Sequence, residues 1–180
     1  MPIPSFRYHP DPLKSGSVVV SDTGCHCCGR NTGHIYVGPV YAETPELEEA
    51  ICPDCIASGL AHEKFDATFV DSEAFDDDAP AAVVEEITTR TPGFSAWQAE
   101  HWPSCCGEPA VFLEPAGIAR VREIDYRLEG SLMMHIVHDL EISGGAARRM
   151  LESLKRDQSP TAYVFRCRHC HSHLARIDFL

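Results

Sequence analysis

Nine cysteines are unevenly spread along 180 residues, and their spacing is the chain's most specific chemical signal. Cys25 and Cys28 lie in Cys25-His26-Cys27-Cys28-Gly29, and Cys52 and Cys55 in Cys52-Pro53-Asp54-Cys55. A C-x-x-C turn points two sulfurs at one centre, and its backbone N–H groups stabilise the thiolates. Two such turns complete a tetrahedron of sulfurs at about 2.3 Å from a zinc ion. Gly29 favours Cys25 and Cys28 as the pair, because a knuckle often needs positive φ just beyond its second ligand; Cys27 is then a spectator. Four thiolates close the coordination sphere, so this site is expected to be structural. A catalytic zinc keeps one position open for water or substrate.

A third knuckle, Cys167-Arg168-His169-Cys170-His171, lies near the C-terminus and needs partners. The candidates are Cys105 and Cys106, about sixty residues upstream. Cys106 resembles the second cysteine of a knuckle because Gly107 follows it, but proline occupies position 103, where the matching ligand would fall. The expectation is a second zinc site using Cys106, Cys167 and Cys170, with Cys105, His171 and His173 open as the fourth ligand. An open fourth position would leave room for catalysis, with Glu100, His101 or His173 beside it. His135 and His138 share a helical face, a weaker metal candidate because such pairs more often pack or face solvent.

The elements that must position these residues are short. Residues 1–17 are proline-rich and read as an extended arm docked through Phe6, Tyr8 and Leu13. Small strands are expected at 18–20, 35–37 and 40–41. Thr44-Pro45-Glu46 resembles a helix start, and 56–65 has helical spacing interrupted by Gly59. The acidic run at 71–78 reads as a mobile linker or surface loop. A helix capped by Asp78 is expected from about Pro80 to Thr91-Pro92-Gly93, and another over 94–102, where Phe94, Trp97 and His101 recur at helical spacing. A strand at 110–113, helices at 116–128 and 131–140, a helix capped by Ser143, and strands at 161–165 and 174–179 complete the reading. The fold class is α+β: zinc-ribbon-like knuckles on short antiparallel strands, plus several helices. The expected division is an N-terminal knuckle lobe, 1–75, and a helical lobe with the C-terminal knuckle hairpin, 76–180, packed together.

Twenty-seven acidic against fifteen basic residues give a net charge of −12, which opposes general binding to a phosphate backbone. Residues 43–86 hold fourteen acidic residues and one basic residue, Lys64, for a net −13, so the remainder carries +1. That segment is either a solvated face or a surface for a basic partner. Arginines at 120, 122 and 127, and at 166, 168 and 176, are the local basic patches that a nucleic-acid-binding ribbon would need. No apolar run is long enough to span a membrane, and the N-terminus lacks the apolar core of a signal peptide. A cytoplasmic location with reduced or metal-bound cysteines is the expectation.

The stretches Phe6-Arg7-Tyr8-His9-Pro10-Asp11-Pro12, Glu63-Lys64-Phe65-Asp66 and Arg90-Thr91-Pro92-Gly93-Phe94-Ser95-Ala96-Trp97-Gln98 also stand out. Together with both N-terminal knuckles, Cys106-Gly107, and the run Tyr163-Val164-Phe165-Arg166-Cys167-Arg168-His169-Cys170, they resemble the CbrC family across nearly the whole chain. That bacterial group is associated in name with tolerance to a nuclease colicin, and it brings no catalytic residues to transfer. The resemblance implies a zinc-stabilised tolerance or immunity-type binding protein whose partner is a basic protein toxin such as a nuclease. The alternative is a hydrolase-like enzyme acting through the second zinc.

Overall fold

The computed structural model describes residues 2–180 and has mixed α+β architecture. After the proline-rich arm, Asp11 starts the one-turn helix α1 (Pro12–Ser15) by accepting the Lys14 N–H, and Gly16 stops it in the left-handed region. Strands β1 (Val18–Val20) and β2 (His34–Tyr36) form an antiparallel ribbon, with the first knuckle in their connection. Helices α2 (Pro53–Ala57) and α3 (Leu60–Phe65) follow, broken at Gly59, whose φ of 79° ends one and begins the other. Helix α4 (Ala81–Arg90) precedes a minimal hairpin, β3 (Ser104–Cys105) with β4 (Glu108–Pro109). Strand β5 (Val111–Ala116) leads into helices α5 (Ile118–Ile124), α6 (Arg127–His138) and α7 (Gly144–Ser153). Strands β6 (Thr161–Arg166) and β7 (His173–Asp178) complete an antiparallel sheet in the order β5-β6-β7.

Three apolar clusters hold these elements. The first surrounds the N-terminal knuckles with Phe6, Ile35, Tyr36, Leu47, Ile51 and Phe69. The other two lie on opposite faces of the sheet, because successive side chains of a strand point to opposite sides. On β6, Ala162 and Val164 meet Leu128, Leu132, Ile136 and Leu151 of the helices, whereas Tyr163 and Phe165 join Tyr8, Phe94, Trp102 and Phe112. Burial on both faces explains the unbroken apolar run of that strand.

The arm and the Pro92-Gly93-Phe94 stretch meet at the aromatic cluster. Tyr8 O accepts the Phe112 N–H at 2.8 Å, and His9 is wholly buried, bridging Pro92 O and Ser15 Oγ at 2.7 Å each. Phe94 stacks on Phe112 with centroids 4.2 Å apart. Gly93 is required here: a Cβ on it would lie 2.0 Å from Phe69 O.

Several local expectations are overturned. Residues 94–102 form no helix, because tertiary partners claim their polar groups: Trp97 and Gln98 donate N–H bonds to Asp178 Oδ2, and Trp97 Nε1 donates to Thr161 Oγ1. Of the two readings of 71–78, the surface loop holds and the mobile linker does not, because the loop is anchored. Ser72–Ala74 form a 3-10 turn, Ala74 is buried, and Asp76 Oδ2 accepts the Ser104 N–H at 2.8 Å. Helix α4 begins after Pro80 without a capping side chain, so Asp78 is not its cap; Ser143 occupies the cap position of α7 but makes no capping bond. The start expected at Thr44 yields only the 3-10 turn Pro45–Leu47.

Candidate metal centres

Cys25, Cys28, Cys52 and Cys55 converge with every sulfur within 4.8 Å of the others. Cys25 Sγ lies 3.8 Å from Cys55 Sγ, and Cys28 Sγ lies 3.9 Å from Cys52 Sγ. A tetrahedron with zinc–sulfur bonds of about 2.3 Å has an edge of about 3.8 Å. A disulfide would need about 2.05 Å, and all nine cysteines are free. The loop between β1 and β2 supplies the first pair, while the second sits at the N-terminus of α2, with Cys52 flanking Pro53. Gly29, at φ 72°, donates its N–H to Cys25 O and closes the knuckle. Cys25 Sγ accepts the Cys52 N–H at 3.2 Å. Cys27 lies outside the group, buried, with its carbonyl held by Lys64 Nζ at 2.8 Å.

Contacts among these thiols set their protonation. A hydrogen bond from Cys52 draws Cys25 down to about 4; the same contact, with burial, drives Cys52 up, and burial raises Cys55. Four touching thiolates repel one another, so all four ionise together only around a cation. The donor set and its dimensions fit zinc.

A second group unites Cys105, Cys106, Cys167 and Cys170, again within 4.8 Å. Cys105 Sγ is 3.9 Å from Cys106 Sγ and 3.7 Å from Cys170 Sγ. The two C-x-x-C turns at Cys25 and Cys167 share one design: Cys25 N–H donates to Arg30 O and Cys167 N–H to Ser172 O, both at 2.9 Å. His171, at φ 61°, occupies the place of Gly29 in this turn. It serves backbone geometry, and neither it nor His173 joins the sulfurs. His173 Nδ1 instead lies 3.5 Å from Asp125 Oδ2.

The upstream half is not a knuckle. Cys106 and Gly107, at φ 56° and 77°, are the central residues of the two-residue turn between β3 and β4, the conformation Asn-Gly usually adopts. That turn presents the sulfurs of adjacent residues to the same point, so no ligand is needed at position 103. The four donors of this group are therefore all sulfur. The Cys105-Cys106-Gly107-Glu108 hairpin was the available signal for Cys105.

Glu108, on β4, is the carboxylate beside this group. It accepts hydrogen bonds from Tyr8 and Arg168, and its Oε2 lies 2.6 Å from His169 Nε2. Burial opposes its ionisation, but these three partners override it and hold Glu108 at about 2. Arg168 also stacks over the Tyr8 ring at 5.4 Å, tying the N-terminal arm to the second cysteine group. Glu100 bonds instead to the Asp71 N–H. His135 Nδ1 lies 2.6 Å from Asp139 Oδ2, and no metal-ligating group among the described residues includes it. The arginines at 120, 122 and 127 are paired with Glu114 and Glu123, Glu129 and Glu152, and Asp125 respectively, which leaves no open basic patch there.

Comparison with known proteins places this arrangement. Residues 3–179 match the uncharacterised protein family UPF0167. The chain belongs to UPF0167. UPF0167 protein Mb2317 of Mycobacterium bovis and UPF0167 protein MT2352 of Mycobacterium tuberculosis are each 43% identical over 178 residues, covering 98% of this chain and 94% of theirs. UPF0167 protein PA1536 of Pseudomonas aeruginosa is 35% identical over 179 residues, covering 99% of this chain and 98% of its own. No solved structure matches this UPF0167 chain. No helix among its described residues is long and apolar enough to cross a membrane.

Proposed function

We propose that this UPF0167 protein is a non-catalytic binding protein stapled by two structural zinc ions, one held by Cys25, Cys28, Cys52 and Cys55 and the other by Cys105, Cys106, Cys167 and Cys170. The observation that carries the reading is the donor count: each group offers four sulfurs at tetrahedral spacing. Four thiolates fill the coordination sphere of zinc and leave no position for a water nucleophile. Cys105 as a fourth sulfur supports this reading over hydrolysis at the second zinc.

The partner we propose is a basic protein. Of the fourteen acidic residues in 43–86, eleven are exposed, and of those only Asp66 forms an ion pair among the described residues, with His62. Such a surface accelerates encounter with a cationic partner, while affinity must come from buried contacts. On the resemblance to the CbrC family, the partner we propose is a nuclease toxin, which must be basic to hold DNA, and the function we propose is tolerance or immunity.

The test is kinetic. Glu73, Asp77 and Asp78 are exposed, whereas Asp76 holds the β3 backbone. Replacing those three exposed residues by serine slows association with a basic nuclease at low salt and weakens its salt dependence. An unchanged association rate removes this face from the account.

A further inference from the structure

The two four-cysteine groups share a donor set but differ in their access to solvent. In the first, Cys25, Cys52 and Cys55 are buried in the N-terminal apolar cluster and Cys28 is half-buried. In the second, Cys106 and Cys170 are exposed, Cys105 is half-buried, and Cys167 alone is buried. The sulfurs of Cys105 and Cys170, which come from different loops, lie 3.7 Å apart at the surface. Oxidation of a thiolate depends on its exposure, so the two groups face an oxidant unequally.

We propose that the second group is a reversible oxidation site, at which a peroxide joins Cys105 and Cys170 in a disulfide and empties the second zinc position while the first is retained. This rests on the reading of both groups as zinc sites. The exposed Cys170 thiolate attacks one peroxide oxygen; the O–O bond breaks, a sulfenic acid forms and hydroxide leaves. The Cys105 thiolate, in contact with that sulfur, then attacks it; the S–S bond forms, the S–O bond breaks and a second hydroxide leaves. Two electrons pass from the sulfurs to the peroxide, and two protons from solvent turn the hydroxides into water.

The geometry selects this pair. Cys106 is adjacent to Cys105 in sequence, and a disulfide between neighbouring residues closes a ring that strains the trans peptide. Cys167 is buried, and its sulfur is already occupied in accepting the His169 and Cys170 N–H groups at 3.4 and 3.5 Å. Once Cys105 and Cys170 are joined, Cys106 and Cys167 are the thiolates left in this group, and two are too few to hold zinc. The loops do not part. Glu108 on the hairpin still bonds Arg168 and His169 on the knuckle, and the disulfide ties the same loops covalently. A thiol reductant therefore restores the four-sulfur group.

The experiment treats the zinc-loaded protein with hydrogen peroxide. Zinc release is followed with a colorimetric dye too weak to strip the untreated protein, and cysteine pairs are mapped by peptide mass. The expected result is that one zinc per chain leaves at least about tenfold faster than the other, with a disulfide between Cys105 and Cys170, and that dithiothreitol with zinc returns the starting state. Cys27→Ser, which alters a buried cysteine outside both groups, behaves in the same way. Equal rates for the two zinc ions, faster loss from the group at Cys25, a disulfide between any other pair, or a loss that reductant and zinc do not reverse overturns the proposal. Fewer than two zinc ions before peroxide is added overturns the zinc reading itself, so the two failures are distinct.

Discussion

Glu100→Gln should make the protein more stable, and by an amount that grows with pH. In the folded chain, burial raises the Glu100 carboxyl from its ordinary 4.5 to about 8, against the opposing pull of the Asp71 N–H. In the unfolded chain it ionises near its ordinary value. Between those two pH values the native state holds a proton that the unfolded state has released, so stability falls as pH rises through this window. Each pH unit of difference corresponds to about 1.4 kcal/mol, giving a ceiling of about 5 kcal/mol by pH 8. Residual solvation lowers the expectation to about 2–4 kcal/mol. Glutamine keeps an oxygen for the Asp71 N–H and has no charge to desolvate, so the variant escapes the penalty. The assay is denaturant unfolding of both proteins from about pH 5 to pH 8.5 at constant zinc. Taking the difference between them cancels the pH dependence of the thiolate sites. The difference should be small at the acid end and reach several kcal/mol at the alkaline end. A difference that does not change with pH would refute the assignment of Glu100 as a carboxyl held neutral by burial.

Cys105→Ser should remove one zinc per chain, whereas Cys27→Ser should remove none; metal analysis after gel filtration checks both. Cys52→Ser or Cys55→Ser should lower zinc content and melting temperature together, since a structural site contributes about 10–16 kcal/mol of apparent binding energy. Full metal content in either variant contradicts the first site. Gly93→Ala forces a methyl group against Phe69 O and should cost about 2–4 kcal/mol in denaturant melts; a loss below the measurement error contradicts the packing described. Burial lowers His9 to about 4, despite its bond to Pro92 O, so stability linked to this residue is lost as pH falls from its unfolded value of about 6.5 toward 4. NMR should find its imidazole still neutral at about pH 5, and half-protonation near pH 6 would contradict its burial.

The mixed class and the C-terminal hairpin were legible because their signals are local. Strand β6 is a continuous apolar run ending at Arg166, and β7 begins just past the knuckle, so the turn chemistry and the pairing agree. The break at Gly59 was legible for the same reason, since positive φ suits glycine. Residues 94–102 misled because their helical aromatic spacing is satisfied by a docked loop. Trp102 packs in the core and donates to Ala110 O, while Trp97 reaches Thr161, and no local pattern encodes either contact. The acidic residues of 71–78 concealed Ala74 and the anchoring role of Asp76. Pairing of the C-x-x-C stretches follows from a repeated spacing, but Cys105 does not. Adjacent cysteines converge only because Cys106 adopts positive φ in a tight hairpin, a conformation that its residue type disfavours. The environment of Glu100 is likewise tertiary, built in part by the Asp71 N–H.

The central claim is that two closed four-thiolate zinc sites hold this protein together. Native mass spectrometry of protein purified without added zinc, with thiol alkylation on the same sample, tests it most directly. The account predicts two zinc ions per chain and no readily alkylated cysteine, since Cys27 is buried and the other eight are protected until a chelator is added. A chain carrying a single zinc, with Cys105, Cys106, Cys167 and Cys170 freely alkylated, would contradict it.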